Sequence, residues 1–178
     1  MIEKKKSSQK IYECSFLELY EDEVILSNEK ITQRVYIKHP GGAAVLPIRE
    51  DGKIILTKQF RYPVGHITIE IPAGKKDDKN ENGLTCAKRE LEEETGYVSS
   101  NFKHLYTLHP CLGYSDEALE IFIAFDCIKK DNPRVSDEDE FIEILYLDKD
   151  EVSTLLKSQS ITDGKTLIAL QHYLLSYE

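Results

Sequence analysis

The stretch that most constrains this chain is Gly74 to Tyr97, GKKDDKNENGLTCAKRELEEETGY, because a helix there breaks the electrostatic rules of helices. Leu84, Ala87 and Leu91 recur at helical spacing and form one apolar stripe, so a core-facing helix is expected from about Leu84 to Thr95. Asn82 stands where an N-cap belongs, and Gly96 where a left-handed C-terminal residue belongs. Glu90, Glu93 and Glu94 fall at i, i+3 and i+4, so their carboxylates share one face. Like charges so spaced repel by about a few tenths of a kcal/mol per pair. They also lie towards the helix end where the macrodipole disfavours negative charge. Such local conflict marks functional sites. A hard divalent cation resolves it, since Mg²⁺ takes oxygen ligands and is shared between carboxylates and substrate phosphates. The competing reading is a solvated acidic face served by Arg89 and Lys88.

Composition narrows the partners. A chain of 178 residues suits one domain, with 40% apolar and 31% charged residues in the usual globular balance. The formal charge of −9 (23 Lys+Arg, 32 Asp+Glu) argues against a general nucleic-acid grip, which needs basic patches. The same charge poses a problem for any phosphate-bearing substrate. No apolar run approaches the roughly 20 residues of a membrane span. MIEKKKSSQK has no apolar stretch behind its charged start, so no secretory signal is expected and the cytoplasm is the expected location. Cys14, Cys86, Cys111 and Cys127 form no C-x-x-C pair and are expected to be reduced fillers, with Cys111 the least secure.

A β-rich stretch runs from Ile11 to Tyr36. Ala43–Ile48 and Lys53–Thr57, separated by Glu50-Asp51-Gly52, read as a hairpin. His66–Ile71 alternates apolar and polar residues and is broken by Pro72-Ala73-Gly74. Beyond the acidic helix, strands are expected at Leu105–Leu108, Ala118–Phe125 and Phe141–Leu147, then helices at Asp150–Leu156 and Thr162–Tyr177. In the last helix Leu167, Leu170, Tyr173 and Leu174 share a face. This order points to an α+β fold or an α/β/α sandwich.

The acidic segment resembles the Nudix hydrolase signature, G-x5-E-x7-R-E-U-x-E-E-x-G-U, where U is bulky and apolar. Glu81 lies eight positions before Arg89, and Arg89-Glu90-Leu91-Glu92-Glu93-Glu94-Thr95-Gly96-Tyr97 fits the remainder. Gly74 precedes Glu81 by one residue more than the signature, so the loop carries a one-residue insertion. The resemblance extends over roughly Val35 to Leu170 to the ADP-ribose pyrophosphatase branch. It is carried by His39-Pro40-Gly41-Gly42-Ala43, Lys58-Gln59-Phe60-Arg61, Glu70-Ile71-Pro72-Ala73-Gly74, Pro110 to Glu117 and Asp137-Glu138-Asp139-Glu140-Phe141. Pro110 also falls near the position at which that branch carries a proline after the motif.

The resemblance implies a Nudix-type sandwich with a mixed sheet, a β-rich region over residues 1–36 and a hydrolase domain over 37–178. It implies Mg²⁺, with Mn²⁺ as the alternative, held by Glu90, Glu94, the carbonyl of Ala73 and Glu93 directly or through water. Arg89 would orient the carboxylates by pairing with Glu93. Ser136–Glu140 would supply the catalytic base, Glu138, and a further metal ligand, Glu140, or the two exchanged. Arg61 would contact the diphosphate with its planar fork, with Arg34 a second such candidate. Glu70 belongs to the same substrate-binding set, Tyr36 would stack on adenine, and Gly113, Ser115 and Glu117 would close over the terminal ribose. His39 is read as structural within its His-Pro-Gly turn, and the other histidines show no metal-ligand spacing.

The implied reaction is hydrolysis of ADP-ribose to AMP and ribose 5-phosphate. The alternatives are another nucleoside diphosphate sugar, GDP-mannose or a UDP-sugar, and a non-catalytic module that senses ADP-ribose. Homodimers are typical of the branch, with the β-rich amino-terminal region meeting the partner. The charge of −9 then has a partial address in Glu81, Glu90, Glu93 and Glu94 with Asp137–Glu140.

Overall fold

Turn residues and short apolar runs divide this chain into eleven strands and three helices among the described residues, 1–134 and 141–177, of a computed structural model. By its contacts the chain forms two compact units, Met1–Gly41 with His109–Leu119, and Gly42–Leu108 with Glu120–Glu178.

The first unit is an antiparallel sheet of β1 (Lys4–Glu13), β2 (Glu18–Ile25) and β3 (Ile31–Lys38), in that order. β1 begins at Lys4, ahead of the β-rich stretch expected from Ile11, because KKKSSQK has little apolar alternation; the strand is exposed throughout. Charge complementarity with β2 takes the place of a buried face: Lys5 meets Asp22 at 2.8 Å, Lys6 meets Glu23 at 3.2 Å and Lys10 meets Glu18 at 2.6 Å. Tyr20 and Tyr36 stack across β2 and β3 with centroids 5.7 Å apart. The loop 109–119 joins this unit through Ile37 N–H to the Tyr114 carbonyl (2.7 Å) and Asp116 N–H to the Ile37 carbonyl (3.1 Å).

The second unit holds β4 (Gly42–Arg49), β5 (Ile54–Arg61), β6 (His66–Glu70), β7 (Ala73–Lys75), α1 (Gly83–Thr95), β8 (Tyr97–Val98) and β9 (Asn101–Leu108). β10 (Leu119–Lys129), β11 (Glu143–Leu147), α2 (Lys149–Lys157) and α3 (Gly164–Ser176) complete it. The strands make one mixed eight-stranded sheet along β11-β5-β4-β10-β8, with β6 on β5, β7 on β4 and β9 on β10. β4 is buried along nearly its whole length because it meets both α1 and α3. Ala43 and Val45 pack with Cys86, Ala87 and Leu91 of α1, together with Ile55, Phe122, Ala124 and Cys127. The apolar stripe read from the sequence is therefore the core face of α1.

The expected hairpin is β4–β5, turned at Gly52 with a φ of 81°. The Pro72 break is shorter than expected: after it the chain pairs again with β4, Ala44 opposite Ala73 and Ala43 opposite Gly74. Phe141, expected to open a strand, is exposed, and β11 begins at Glu143. Asp148 caps α2 through a capping box with Glu151, and Asp163 caps α3.

Gly96 ends α1 in the left-handed region (φ 69°, ψ 15°), and its N–H donates to the Glu92 carbonyl. A Cβ there would stand 2.9 Å from Lys129 Nζ. Gly96→Ala is expected to lower the free energy of unfolding by about 1–2 kcal/mol. The urea midpoint should fall with the slope unchanged.

Candidate active site

The site is built on α1 and on the chain that leads into it. Asn82 accepts the Leu84 N–H at 2.9 Å and starts the helix. At the other end the structure supplies cations that the sequence reading did not identify. Lys129 Nζ donates to the Thr95 carbonyl at 2.8 Å, and Lys130 Nζ meets Glu92 at 2.7 Å. The Arg134 N–H also donates to Glu92. These positive groups oppose the unfavourable dipole end of an acidic helix.

The motif carboxylates converge on Arg89. Its Nη1 donates to Glu90 Oε1 at 2.6 Å and to Glu93 Oε2 at 3.0 Å, while Nη2 donates to the Lys75 carbonyl at 2.9 Å. Glu81 Oε2 lies 3.5 Å from the same Nη2 and also accepts the Asp77 N–H at 2.8 Å. The inserted residue in the loop therefore does not displace Glu81 from Arg89. Lys88 lies over the Phe102 ring, 5.5 Å from its centroid. Burial opposes the charge on Arg89, but Glu90, Glu93 and Glu81 outweigh it and raise the guanidinium pKa.

Glu90 and Glu94 are only 8% and 7% exposed, so both carboxylates are largely withdrawn from water. A Cβ on Gly74 would stand 1.9 Å from Glu90 Oε1, so this carboxylate lies directly against the peptide that follows Ala73. Only a glycine leaves that space. Among the described residues no three acidic, His or Cys side chains already form a metal cage. Arg89 Nη1 instead stands between Glu90 and Glu93. The buried all-oxygen donor set beside a backbone turn nevertheless suits a hard divalent cation. Glu138 and Glu140 lie outside the described residues.

A second cluster centres on Glu70, at the end of β6. Glu70 is 3% exposed and accepts a bidentate fork from Arg61, Nε at 2.7 Å and Nη2 at 2.8 Å. Thr68 Oγ1 donates to it at 2.6 Å and Lys165 Nζ at 2.5 Å. Glu70 chiefly raises the Arg61 pKa, and Glu94 of α1 adds to the effect across space, so the two clusters share a field. Thr166 Oγ1 accepts the Ile71 N–H at 2.8 Å, and the Val45 N–H donates to the Pro72 carbonyl at 2.9 Å. These bonds hold the break ahead of Ala73 on both sides.

The other expected residues fall in the first unit. Arg34 forks onto Glu3 at 2.7 and 3.1 Å, and the Tyr36 hydroxyl accepts from Lys5 at 3.3 Å. Ser115 caps the Glu117 N–H, and Glu117 Oε1 lies 3.9 Å from His39 Nδ1. Gly113 carries no neighbour within 4 Å of a built Cβ. His39 accepts the Gly41 N–H, as a structural turn residue would. The four cysteines are free thiols. Burial pushes Cys86 and Cys127 up to about 12, which removes them as nucleophiles near neutral pH. Lys165 and Thr166, which the sequence reading passed over, had one signal: Asp163-Gly164-Lys165-Thr166 opens a helix behind an Asp cap.

Burial pushes the Glu70 carboxyl up, but Arg61, Lys165 and Thr68 outweigh it and hold it at about 2, against an ordinary 4.5. A depressed carboxyl contributes stability that is complete above its unfolded pKa and is lost as pH falls through the folded one. Glu70→Gln should lower stability at neutral pH. It should also flatten the loss between about pH 4.5 and about pH 2, read from urea midpoints across that range.

Comparison with known proteins fits this geometry. The chain is 37% identical to the ADP-ribose pyrophosphatase of Bacillus subtilis over 96% of its length and 91% of that protein. It is 36% identical, with the same coverage, to the methanol dehydrogenase activator of Bacillus methanolicus. It is 35% identical to the GDP-mannose pyrophosphatase of Pectobacterium atrosepticum over 79% of this chain and 75% of that one. The fold matches a crystal structure of an ADP compounds hydrolase with a TM-score of 0.80 at 19% identity, covering 98% of this chain and 92% of that one. Residues 38–170, which contain α1, Arg61, Glu70 and Lys165, match the NUDIX domain, and the chain belongs to the NUDIX family.

Proposed function

We propose that this protein hydrolyses the diphosphate bond of ADP-ribose, giving AMP and ribose 5-phosphate, with Mg²⁺ or in its place Mn²⁺. The observation that carries this reading is the pair of buried carboxylates, Glu90 and Glu94, set on one helix face with Glu90 against the Ala73–Gly74 peptide. The likeness to an ADP-ribose pyrophosphatase along nearly the whole chain supports the substrate.

Glu90, Glu94 and the Ala73 carbonyl would hold the cation, with Glu93 directly or through water. When bound, the cation neutralises the diphosphate and acidifies a water. Arg89 keeps Glu90 and Glu93 in one orientation through its shared Nη1. Arg61, its Nε and Nη2 occupied by Glu70, presents Nη1 to a phosphate oxygen. Glu138, or Glu140 in its place, takes the proton of the attacking water. The roles expected of Arg34, Tyr36, Gly113, Ser115 and Glu117 belong to the same proposal.

The division into a β-rich region over 1–36 and a hydrolase domain over 37–178 is part of this reading, as is a homodimer formed through the first. Exposed Ile11, Tyr12, Ile31 and Val35 on the three-stranded sheet support a partner there. Four free thiols support a cytoplasmic location. No helix among the described residues is long and apolar enough to cross a membrane.

Glu94→Gln should lower kcat/KM for ADP-ribose by about a hundredfold or more, since even outer partners of metal ligands cost about 10- to 100-fold. The assay is phosphate release after a coupled phosphatase, with Mg²⁺ and with EDTA, alongside GDP-mannose and a UDP-sugar. Activity of Glu94→Gln near wild type, or wild-type turnover in EDTA, would overturn the metal assignment. Faster turnover of GDP-mannose would move the substrate to that class, which the Pectobacterium relative favours. Without divalent metal the clustered carboxylates should repel ADP-ribose, and calorimetry should show binding only when metal is present.

A further inference from the structure

The proposed reaction gives no role to a largely buried cation beside Arg61. Lys165, in the first turn of α3, is 12% exposed at its side chain and reaches back to β6, where Nζ donates to Glu70 Oε2 at 2.5 Å. It also lies 3.1 Å from Asp163 Oδ1. The Glu70 carboxylate thus receives four donors: Arg61 Nε and Thr68 on one oxygen, Arg61 Nη2 and Lys165 on the other. An ionised carboxylate offers about four lone-pair sites, so all are filled and the plane of the carboxylate is set. Because Arg61 docks on it bidentately, the plane of the guanidinium is set with it.

Charge leads to the same place. Arg61 and Lys165 carry two positive charges against the two negative charges of Glu70 and Asp163. Take Lys165 away and a net negative charge stands directly behind Arg61, in a site that must accept a diphosphate. Glu94 adds to the negative field that Arg61 experiences, so the loss of Lys165 acts in the same direction.

We infer that Lys165 is a positioning residue for diphosphate recognition: by sharing Glu70 with Arg61 it fixes the guanidinium plane and offsets the negative charge behind it. The inference rests on the reading of Arg61 as a phosphate contact. A lysine that merely braced α3 against β6 would alter stability without a selective effect on affinity.

The test compares wild type, Lys165→Met and Lys165→Arg in kcat and KM for ADP-ribose at saturating Mg²⁺. Calorimetry gives Kd for ADP, a diphosphate probe that does not depend on turnover. Lys165→Met is expected to raise KM and the ADP Kd about tenfold, equal to about 1.4 kcal/mol, with kcat held within about twofold. Lys165→Arg, which keeps the charge and a donor, should recover most of the affinity. A folded Lys165→Met protein with unchanged KM and Kd overturns the inference, as does a fall in kcat alone, or an Arg variant no better than Met. If melting shows that the Met variant does not fold, Lys165→Gln carries the same expectation. A wild-type chain that binds ADP but leaves ADP-ribose intact overturns the functional reading alone, and the Lys165 comparison is then decided on Kd.

Discussion

Arg89 is the contact on which the acidic face of α1 depends. Glu81, Glu90 and Glu93 come to it from the loop and the helix, and Nη2 also takes the Lys75 carbonyl. One guanidinium therefore ties the helix to the chain entering it and screens carboxylates that would otherwise repel. A lysine could not do this, because the planar fork addresses several acceptors in fixed directions. Another acid on this helix, Glu92, is served by Lys130 and the Arg134 N–H. The Arg134 side chain also reaches Glu93 at 3.7 Å, so the residues after β10 add positive charge to the end of the same helix.

The backbone before α1 is held as carefully as the side chains. Pro72 breaks β6 from β7, and a break in a buried sheet leaves polar groups to be satisfied. Val45 takes the Pro72 carbonyl and Thr166 takes the Ile71 N–H, so β4 and α3 close the gap from two sides. Register then resumes with Ala44 opposite Ala73. The Ala73 carbonyl, a ligand in the proposed function, thus lies in a stretch of chain held by hydrogen bonds from β4 and α3. Gly74 is small for a related reason: the Glu90 carboxylate occupies the volume of its missing side chain.

Much of this was legible in the chain. The helix, its caps, its apolar stripe and the shared face of Glu90, Glu93 and Glu94 all follow from spacing, because helical periodicity makes i, i+3 and i+4 neighbours, while the Arg89–Glu93 pairing was implied by the family resemblance. The hairpin at Gly52 was legible for the same local reason. What escaped is long-range. Lys165 is ninety-five positions from Glu70, and no local pattern joins them. Lys129 and Lys130 reach the helix end only because β10 runs past it. The first part of β1 escaped because it joins the sheet by backbone pairing with β2, flanked by Lys5, Lys6 and Lys10 facing acids, and hydrophobic alternation reports neither.

The two clusters also explain how an acidic protein can address a phosphate. The charge of −9 is not spread evenly around the site. At α1 the acids outnumber Arg89, and on the proposed function that face would take a cation. At β6 two cations balance two acids, and the Arg61 fork keeps one edge unspent on Glu70. The influence of Glu94 on Arg61 links these halves. On the proposed function, a divalent ion held by Glu94 and Glu90 would offset negative charge near Arg61, so filling the acidic face would favour an anion at the basic one. On that reading metal and diphosphate would favour each other's binding, and by linkage each would raise the affinity of the other equally.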